Sequence, residues 1–263
     1  MKFNNKTAVN PASVTVIVLA HNQEQIISEA LKGIMAQQCD FPVKIIVHND
    51  CSTDNTLIEI YKNLADSPFP YSVFSPSINQ YQFGVGFFYN LMFDATTKYI
   101  AICDGDDVWT DPTKLQKQVS MLEKYSEMQI CHHRFEVVNL NSGESLYEWP
   151  PNEFRKNLLP GTDLARENFI GTLSIVFRRK SLPHQVLGYS KLGTGDYGLW
   201  GVIAKNKPIG YIDECMAKYR LHDNQMYSNK DSAEKMQIIN DSRLFVANNS
   251  TGKVSEIWKN SIQ

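Results

Sequence analysis

The chain has 263 residues, of which 43% are hydrophobic, 21% charged and 11% aromatic; that is apolar material for one large core and excludes disorder as the main theme. With 26 Lys and Arg against 28 Asp and Glu the formal net charge is −2, so no bulk electrostatic pull toward nucleic acid or an anionic membrane exists. No window approaches 18 uncharged apolar residues, the polar opening over residues 1–7 lacks a secretory apolar region, and five scattered cysteines without Cys-x-x-Cys argue against a disulfide framework or a thiolate zinc site. The expected address is the cytoplasm, with the inner face of the membrane as the alternative.

The first half alternates between two periods. Val14–Ala20 (VTVIVLA) is a β-branched apolar run, as a strand buried on both faces requires. Ile26, Ile27, Ala30, Leu31, Ile34 and Met35 then recur at helical spacing. A second strand is expected at 43–47 (VKIIV), followed by cap-type Ser52, Thr53 and Asp54 and a helix striped by Leu57, Ile58, Ile60, Tyr61 and Leu64. Tyr71–Phe74 predicts a short third strand, 86–97 a helix, and 99–103 (YIAIC) a fourth strand that runs straight into Asp104-Gly105-Asp106-Asp107. Beyond residue 125 strands are expected at 130–138 and 173–178, a helix at 195–204, one or two strands at 209–221, and a helical tail from 229. The long polar connection over about 147–166 is expected to be an acceptor-side loop or lid.

Strand–helix–strand alternation with short links predicts an α/β fold, a Rossmann-like and mostly parallel sheet with helices on both faces. Ligands of such sheets bind at the carboxyl ends of the strands, where strand order reverses. The residues to question are therefore Ala20-His21-Asn22, His48-Asn49-Asp50 and the acidic run at 104–107.

Several chemistries are absent. Gly84-Val85-Gly86 is followed by Phe87, Phe88 and Tyr89, so the third glycine of a dinucleotide fingerprint is missing. There is no Walker loop, no His-Glu-x-x-His and no Gly-x-Ser-x-Gly elbow. His132 and His133 fall in one strand and point to opposite faces, so they read as structural.

The acidic run carries the chemistry. Three carboxylates in four residues repel one another unless a cation neutralises them, and Mg²⁺ or Mn²⁺ takes such oxygens together with substrate phosphates. Gly105 allows a sharp turn and close backbone approach to a ligand. The alternative is a turn plus a helix start, but Thr110 or Asp111, ahead of Pro112, already supplies the cap for the next helix.

Taken together, VTVIVLAHN (14–22), KIIVHNDCSTDNT (44–56) and YIAICDGDDVW (99–109) resemble the family 2 glycosyltransferases. Asp111-Pro112, Lys114-Leu115-Gln116-Lys117-Gln118, Phe169-Ile170-Gly171-Thr172, Gly195-Asp196-Tyr197 and Tyr219-Arg220-Leu221-His222 extend the likeness over about residues 12–226. The resemblance implies a GT-A fold and an inverting, metal-assisted transfer from a nucleotide sugar, with UDP favoured, to a glycan or lipid-linked acceptor in bacterial surface polysaccharide synthesis. It implies a GT-A domain at 1–226, with a nucleotide-binding half at about 12–125 and an acceptor-side half at about 126–226, and a helical tail at 227–263.

By the same likeness Ala20 and His21 form the base-contacting loop, Asn22 shapes its turn, Glu24 opens the helix, and Asp50 is the carboxylate that meets the nucleobase. The family often has two acidic residues at that strand end, and this chain has Asn49 at the first. Asp104 and Asp106 match Asp-x-Asp, with Asp106 the metal ligand and Asp104 a contact to ribose or, through water, to the metal. Asp196 matches the catalytic base that takes the acceptor's proton. Arg220 is expected on the diphosphate, and His222 as a further ligand to Mn²⁺ or Mg²⁺ or as a phosphate donor. Trp109 suits an apolar anchor under the acidic loop as well as it suits sugar stacking, and Asn79-Gln80-Tyr81 is a further candidate contact. The competing readings are a catalytically silent nucleotide-binding module and a sugar nucleotidyltransferase, although the glycine- and arginine-rich phosphate loop of the latter is missing after the first strand.

Overall fold

The structure, a computed structural model, describes residues 13–223, 225 and 229–263. The polar opening at 1–7 and the expected boundary between 226 and 227 lie outside the described residues.

Four parallel strands form the first half of one sheet. Strand β1 (Val14–Ala20) lies between β2 (Val43–Asn49) and β4 (Tyr99–Ile102), with Val14 opposite both Val43 and Tyr99, and β3 (Tyr71–Phe74) extends the β2 side. Side chains of β1 alternate between two cores: Val14, Val16 and Val18 face one, Ile17 the other. Helices α1 (Ile27–Met35), α2 (Thr56–Leu64) and α4 (Lys114–Lys124) cover the first face through Leu31, Ile60 and Leu115. Helix α3 (Gly86–Asp94) covers the second through Phe88 and Met92. Each fully buried aliphatic on these stripes contributes about 1.5–3 kcal/mol, which is what makes the register resistant to slippage.

The sheet continues as β9 (Val176–Arg178), β6 (Ile130–Asn139), β10 (Pro208–Leu221) and β5 (Val108–Trp109). β9 runs antiparallel to both β4 and β6, while β6 and β10 are parallel, so the mostly parallel sheet acquires its antiparallel members in the second half. After β3 the chain returns to the other side of β1 to form β4. Strand order therefore reverses between β1 and β4, and a crevice opens there.

The C-terminal stretch is built into the core. Helix α5 (Tyr197–Ala204) has all eight residues buried, and α6 (Ser232–Asn248) and α7 (Gly252–Asn260) close over it. A methyl group on Gly198 would meet Phe245 of α6 at 2.9 Å, and one on Gly201 would meet Trp258 of α7 at 2.7 Å. Two glycines three apart on one helix face thus let α6 and α7 seat directly on its backbone. The 147–166 connection is also no open lid. It holds the end of β7 (Ser145–Trp149), β8 (Leu158–Pro160) and two short 3-10 turns, pairs with β6 and β10, and contributes no residue to the cleft described below.

Candidate active site

A cleft of about 750 Å³ opens at the carboxyl ends of β1, β2 and β4. Ala20, His21, Asn22, Asp50, Asp104, Asp106, Asp196 and His222 all line it, so most of the residues named from sequence converge.

The β1 end is a preorganised loop. Asn22 takes a left-handed conformation (φ 51°), and its side-chain oxygen accepts from the Thr53 amide at 2.8 Å, which tethers the β1 and β2 loops. His21 Nδ1 donates to the Asp50 carbonyl at 2.7 Å; since a carbonyl only accepts, this fixes the tautomer and leaves Nε2 as an acceptor. Asp50 is 6% exposed, and its two carboxylate oxygens accept from the amides of Gln80 and Tyr81. His48 Nε2 lies 3.5 Å from the same carboxylate and stacks on Phe87 at 4.8 Å, and burial pushes its pKa down. Asp50 Oδ2, the oxygen that does not face His48, keeps a second lone-pair site for a ligand. At 1% exposure Asn49 is paired as well: it accepts from Ser52 and donates to Ser75 at 2.9 Å. A neutral amide makes both bonds where a carboxylate could only accept.

Three residues of the expected nucleotide site, Glu24, Gly105 and Arg220, do not line the cleft. Glu24 accepts from the Asn55 amide at 2.8 Å, while its own amide donates to Asp54, so it stitches the α1 and α2 entrances together. Gly105 does not have a positive φ; a methyl group there would meet Gln23 Oε1 at 2.2 Å and Ile27 at 2.5 Å. A side chain at 105 would have to push aside the tips of Gln23 and Ile27, so the close approach here is to the entrance of α1 and not a positive-φ turn. Arg220 is 5% exposed, and its guanidinium is spent inside the protein. It donates to the Asp106 carbonyl, to Glu29 at 2.9 Å and to the Ile26 carbonyl at 3.0 Å, bolting the acidic loop to the start of α1. The cation expected on the diphosphate is thus a clamp beneath it. Among the described lining residues the Lys or Arg facing the cleft is Lys230, which the sequence did not single out.

The acidic loop is short of positive charge. Asp104 Oδ1 is buried with no hydrogen-bond partner among the described residues, and burial, then Asp106 and Asp196, push its pKa up to about 8. Asp107, 1% exposed, accepts from the Arg220 amide, and burial followed by Asp106 and Asp104 drives its pKa well up. His222 Nε2 sits 3.2 Å from Asp106 Oδ2. Among the described residues no three His, Cys, Asp or Glu side chains gather into a self-sufficient ion site. Two carboxylates with an orphaned oxygen and an imidazole beside them nevertheless fit a hard divalent cation whose remaining positions come from a bound ligand.

The stability consequence has a definite sign. A carboxylate whose folded pKa lies above its unfolded value loses stability as pH rises from the unfolded value, about 3.9, toward the folded one. Without divalent cation the melting temperature is expected to fall between pH 5 and pH 8, and millimolar Mn²⁺ at pH 8 should restore it, as thermal melts at fixed ionic strength will show.

Asp196 occupies the N-cap position of α5, yet its side chain makes no capping bond. Among the described residues its hydrogen-bond partner is Asn168, whose Nδ2 makes a long contact at 3.4 Å, so its carboxylate stays available to the cleft. Trp109 is an anchor: it is 3% exposed, its indole N–H donates to the Leu173 carbonyl at 2.9 Å, and buried Lys114 sits over its ring at 4.0 Å. Burial lowers the Lys114 pKa to about 7. His132 and His133 are both fully buried in β6, as structural histidines.

A mostly parallel sheet with its crevice at the β1/β4 reversal and an Asp-x-Asp turn at its mouth defines the GT-A class of fold. The chain belongs to glycosyl transferase family 2, whose family model matches residues 15–182. An uncharacterized protein of Mycobacterium tuberculosis (strain ATCC 25618 / H37Rv) is 36% identical over 214 residues, 80% of this chain and 59% of that protein. The chain thus spans about three-fifths of the length of the first curated relatives it matches. The crystal structure of S. aureus TarS 1-349 in complex with UDP-GlcNAc superposes with a TM-score of 0.69 at 17% identity, over 93% of this chain and 69% of that one. The mannosyltransferase PcManGT from Pyrobaculum calidifontis, in complex with GDP-Man and Mn2+, gives 0.62 at 15% identity, over 94% and 73%. Among the described residues no helix is long and apolar enough to cross a membrane.

Proposed function

We propose that this glycosyltransferase moves a sugar from a nucleotide sugar, with UDP the favoured carrier, to a hydroxyl of a glycan or lipid-linked sugar with inversion at the anomeric carbon. The observation that carries the reading is the pairing, within one cleft, of an Asp-x-Asp turn whose buried Asp104 Oδ1 has no hydrogen-bond partner among the described residues with a separate carboxylate at Asp196 that makes no capping bond. The base would sit between His21 and Asp50. The solved neighbours crystallised with UDP-GlcNAc and GDP-Man support a nucleotide-sugar donor of this kind.

Asp106, with Asp104 and His222, would hold Mn²⁺ or Mg²⁺. When bound, that cation supplies Lewis-acid stabilisation of the charge gathering on the departing diphosphate. Four carboxylates line the cleft: Asp50, Asp104, Asp106 and Asp196. Asp50 is tied to two amides and the acidic pair would hold the cation, which leaves Asp196 to take the acceptor proton as the hydroxyl oxygen attacks. Among the described lining residues no second carboxylate is left free to act as nucleophile, which supports a single displacement and hence inversion. Lys230 would offer its ammonium to the diphosphate in place of the withdrawn Arg220. Phe88, which lines the cleft beside Gly195 next to Asp196, would give the acceptor an apolar surface suited to a sugar ring.

Calorimetry of UDP, GDP, CDP and dTDP with and without Mn²⁺ tests the reading: metal-dependent binding of one of them is expected, and metal-independent or absent binding of all four overturns it. In the same assay Lys230→Gln should weaken the bound diphosphate by about tenfold, as loss of one charge-assisted bond implies, and leave the matching nucleoside unaffected.

A further inference from the structure

The two working ends of the cleft are joined by one side chain. Tyr81 begins the 3-10 turn Tyr81–Phe83, and its amide and that of Gln80 are the two donors held by the Asp50 carboxylate. From that anchored backbone its phenol crosses the cleft and donates to the Gly193 carbonyl at 2.8 Å. Two residues on, the buried Tyr189 phenol donates to the Gly195 carbonyl at 2.7 Å. Residues 193–195 are the lead-in to Asp196, and they are held from behind as well: a methyl group on Gly193 would press on Ile238 of α6 at 2.8 Å. The Tyr81 ring is half-buried, lines the cleft, and has its pKa raised by burial and by the charge of Asp196.

We infer that Tyr81 is a positioning residue that couples the nucleotide end of the cleft to the base end, its hydroxyl on Gly193 setting where the Asp196 carboxylate stands once the Asp50 end is filled. This rests on the reading above, in which the nucleobase meets Asp50 and Asp196 is the base. Asp50 braces the turn, the turn braces the phenol, and the phenol braces the 193–195 segment, an unbroken chain of hydrogen bonds between elements more than 100 residues apart in sequence. Tyr189 holds the same segment from the protein interior, so loss of Tyr81 frees one side of it without unfolding it.

The test compares the full chain with Tyr81→Phe, which keeps the ring and removes one hydroxyl. The probe is whichever of UDP, GDP, CDP or dTDP binds the unaltered protein most tightly with Mn²⁺. In the unaltered protein nucleotide binding should slow hydrogen exchange of the 193–197 amides. Tyr81→Phe should bind the same nucleotide within about twofold and lose that protection. Release of nucleoside diphosphate from the matching sugar donor (UDP-GlcNAc, UDP-glucose or GDP-mannose among those tried) should fall by tenfold or more with donor KM unchanged, the split expected when an interaction acts on turnover alone. Retained protection and turnover in the variant overturn the inference. So does a parallel loss of affinity, turnover and melting temperature, which would mark Tyr81 as a structural prop. If the unaltered protein binds none of the four nucleotides, the functional reading itself fails, a result separable from both.

Discussion

Asp196→Asn is expected to bind nucleotide and nucleotide sugar with nearly unchanged affinity and to lose at least about 10²-fold in turnover, the order associated with a general base. The substitution is close to isosteric, and the N-cap position does not depend on the carboxylate, because the Asp196 side chain makes no capping bond. Asparagine still accepts the long contact from Asn168, so α5 should start at the same place. What disappears is the lone pair able to hold the acceptor's proton. Calorimetry and steady-state release of nucleoside diphosphate separate the two quantities. Full turnover in the variant would remove Asp196 from the mechanism and return attention to a silent nucleotide-binding module.

Asp106→Ala is expected to do the opposite, weakening Mn²⁺-dependent nucleotide binding by more than roughly 100-fold, since an oxygen donor of a hard cation is lost. The fold should survive. The Asp106 carbonyl, which is what the Arg220 clamp grips, is backbone and persists in the variant. Removing one of three crowded carboxylates also relieves the repulsion that raises the pKa of Asp104 and Asp107, so the metal-free variant should melt no lower than the unaltered protein at pH 8. Binding measured across a Mn²⁺ titration, together with a thermal melt, checks both halves. Retained metal-dependent binding would show that the cation sits elsewhere.

Local pattern made much of this protein legible. The apolar run Val14–Ala20 is β1 to the residue, Tyr71–Phe74 is β3, and the polar residues just after β1, β2 and β4 do meet in one cleft. These succeed because a strand's hydrophobic period and a strand-end turn are set by neighbours in sequence. The failures share one cause, a partner far along the chain. Arg220 reads as a phosphate ligand until Glu29, 191 positions away, claims its guanidinium. Gly105 reads as a flexible turn until the Ile27 side chain of α1 arrives against it. Lys230 carries no local mark at all, and its place on the cleft follows only from how α6 is seated. The two-residue strand β5 is too short to show a period, and the C-terminal stretch reads as a helical tail because the surface its anchors Phe245 and Trp258 pack on, Gly198 and Gly201 of α5, lies far back along the chain.

The seating of α6 and α7 on Gly198 and Gly201 has a bearing on biogenesis. The parallel half, strands β1 to β4 with α1 to α3, can collapse while the ribosome is still at work, since its contacts close within the first hundred or so residues. Helix α5, which Asp196 precedes, gains its full cover only once Trp258 has been made. A nascent chain would therefore gain the strand-end loops of β1, β2 and β4 early and the seat of Asp196 last; under the proposed function the nucleotide end of the cleft would precede its base.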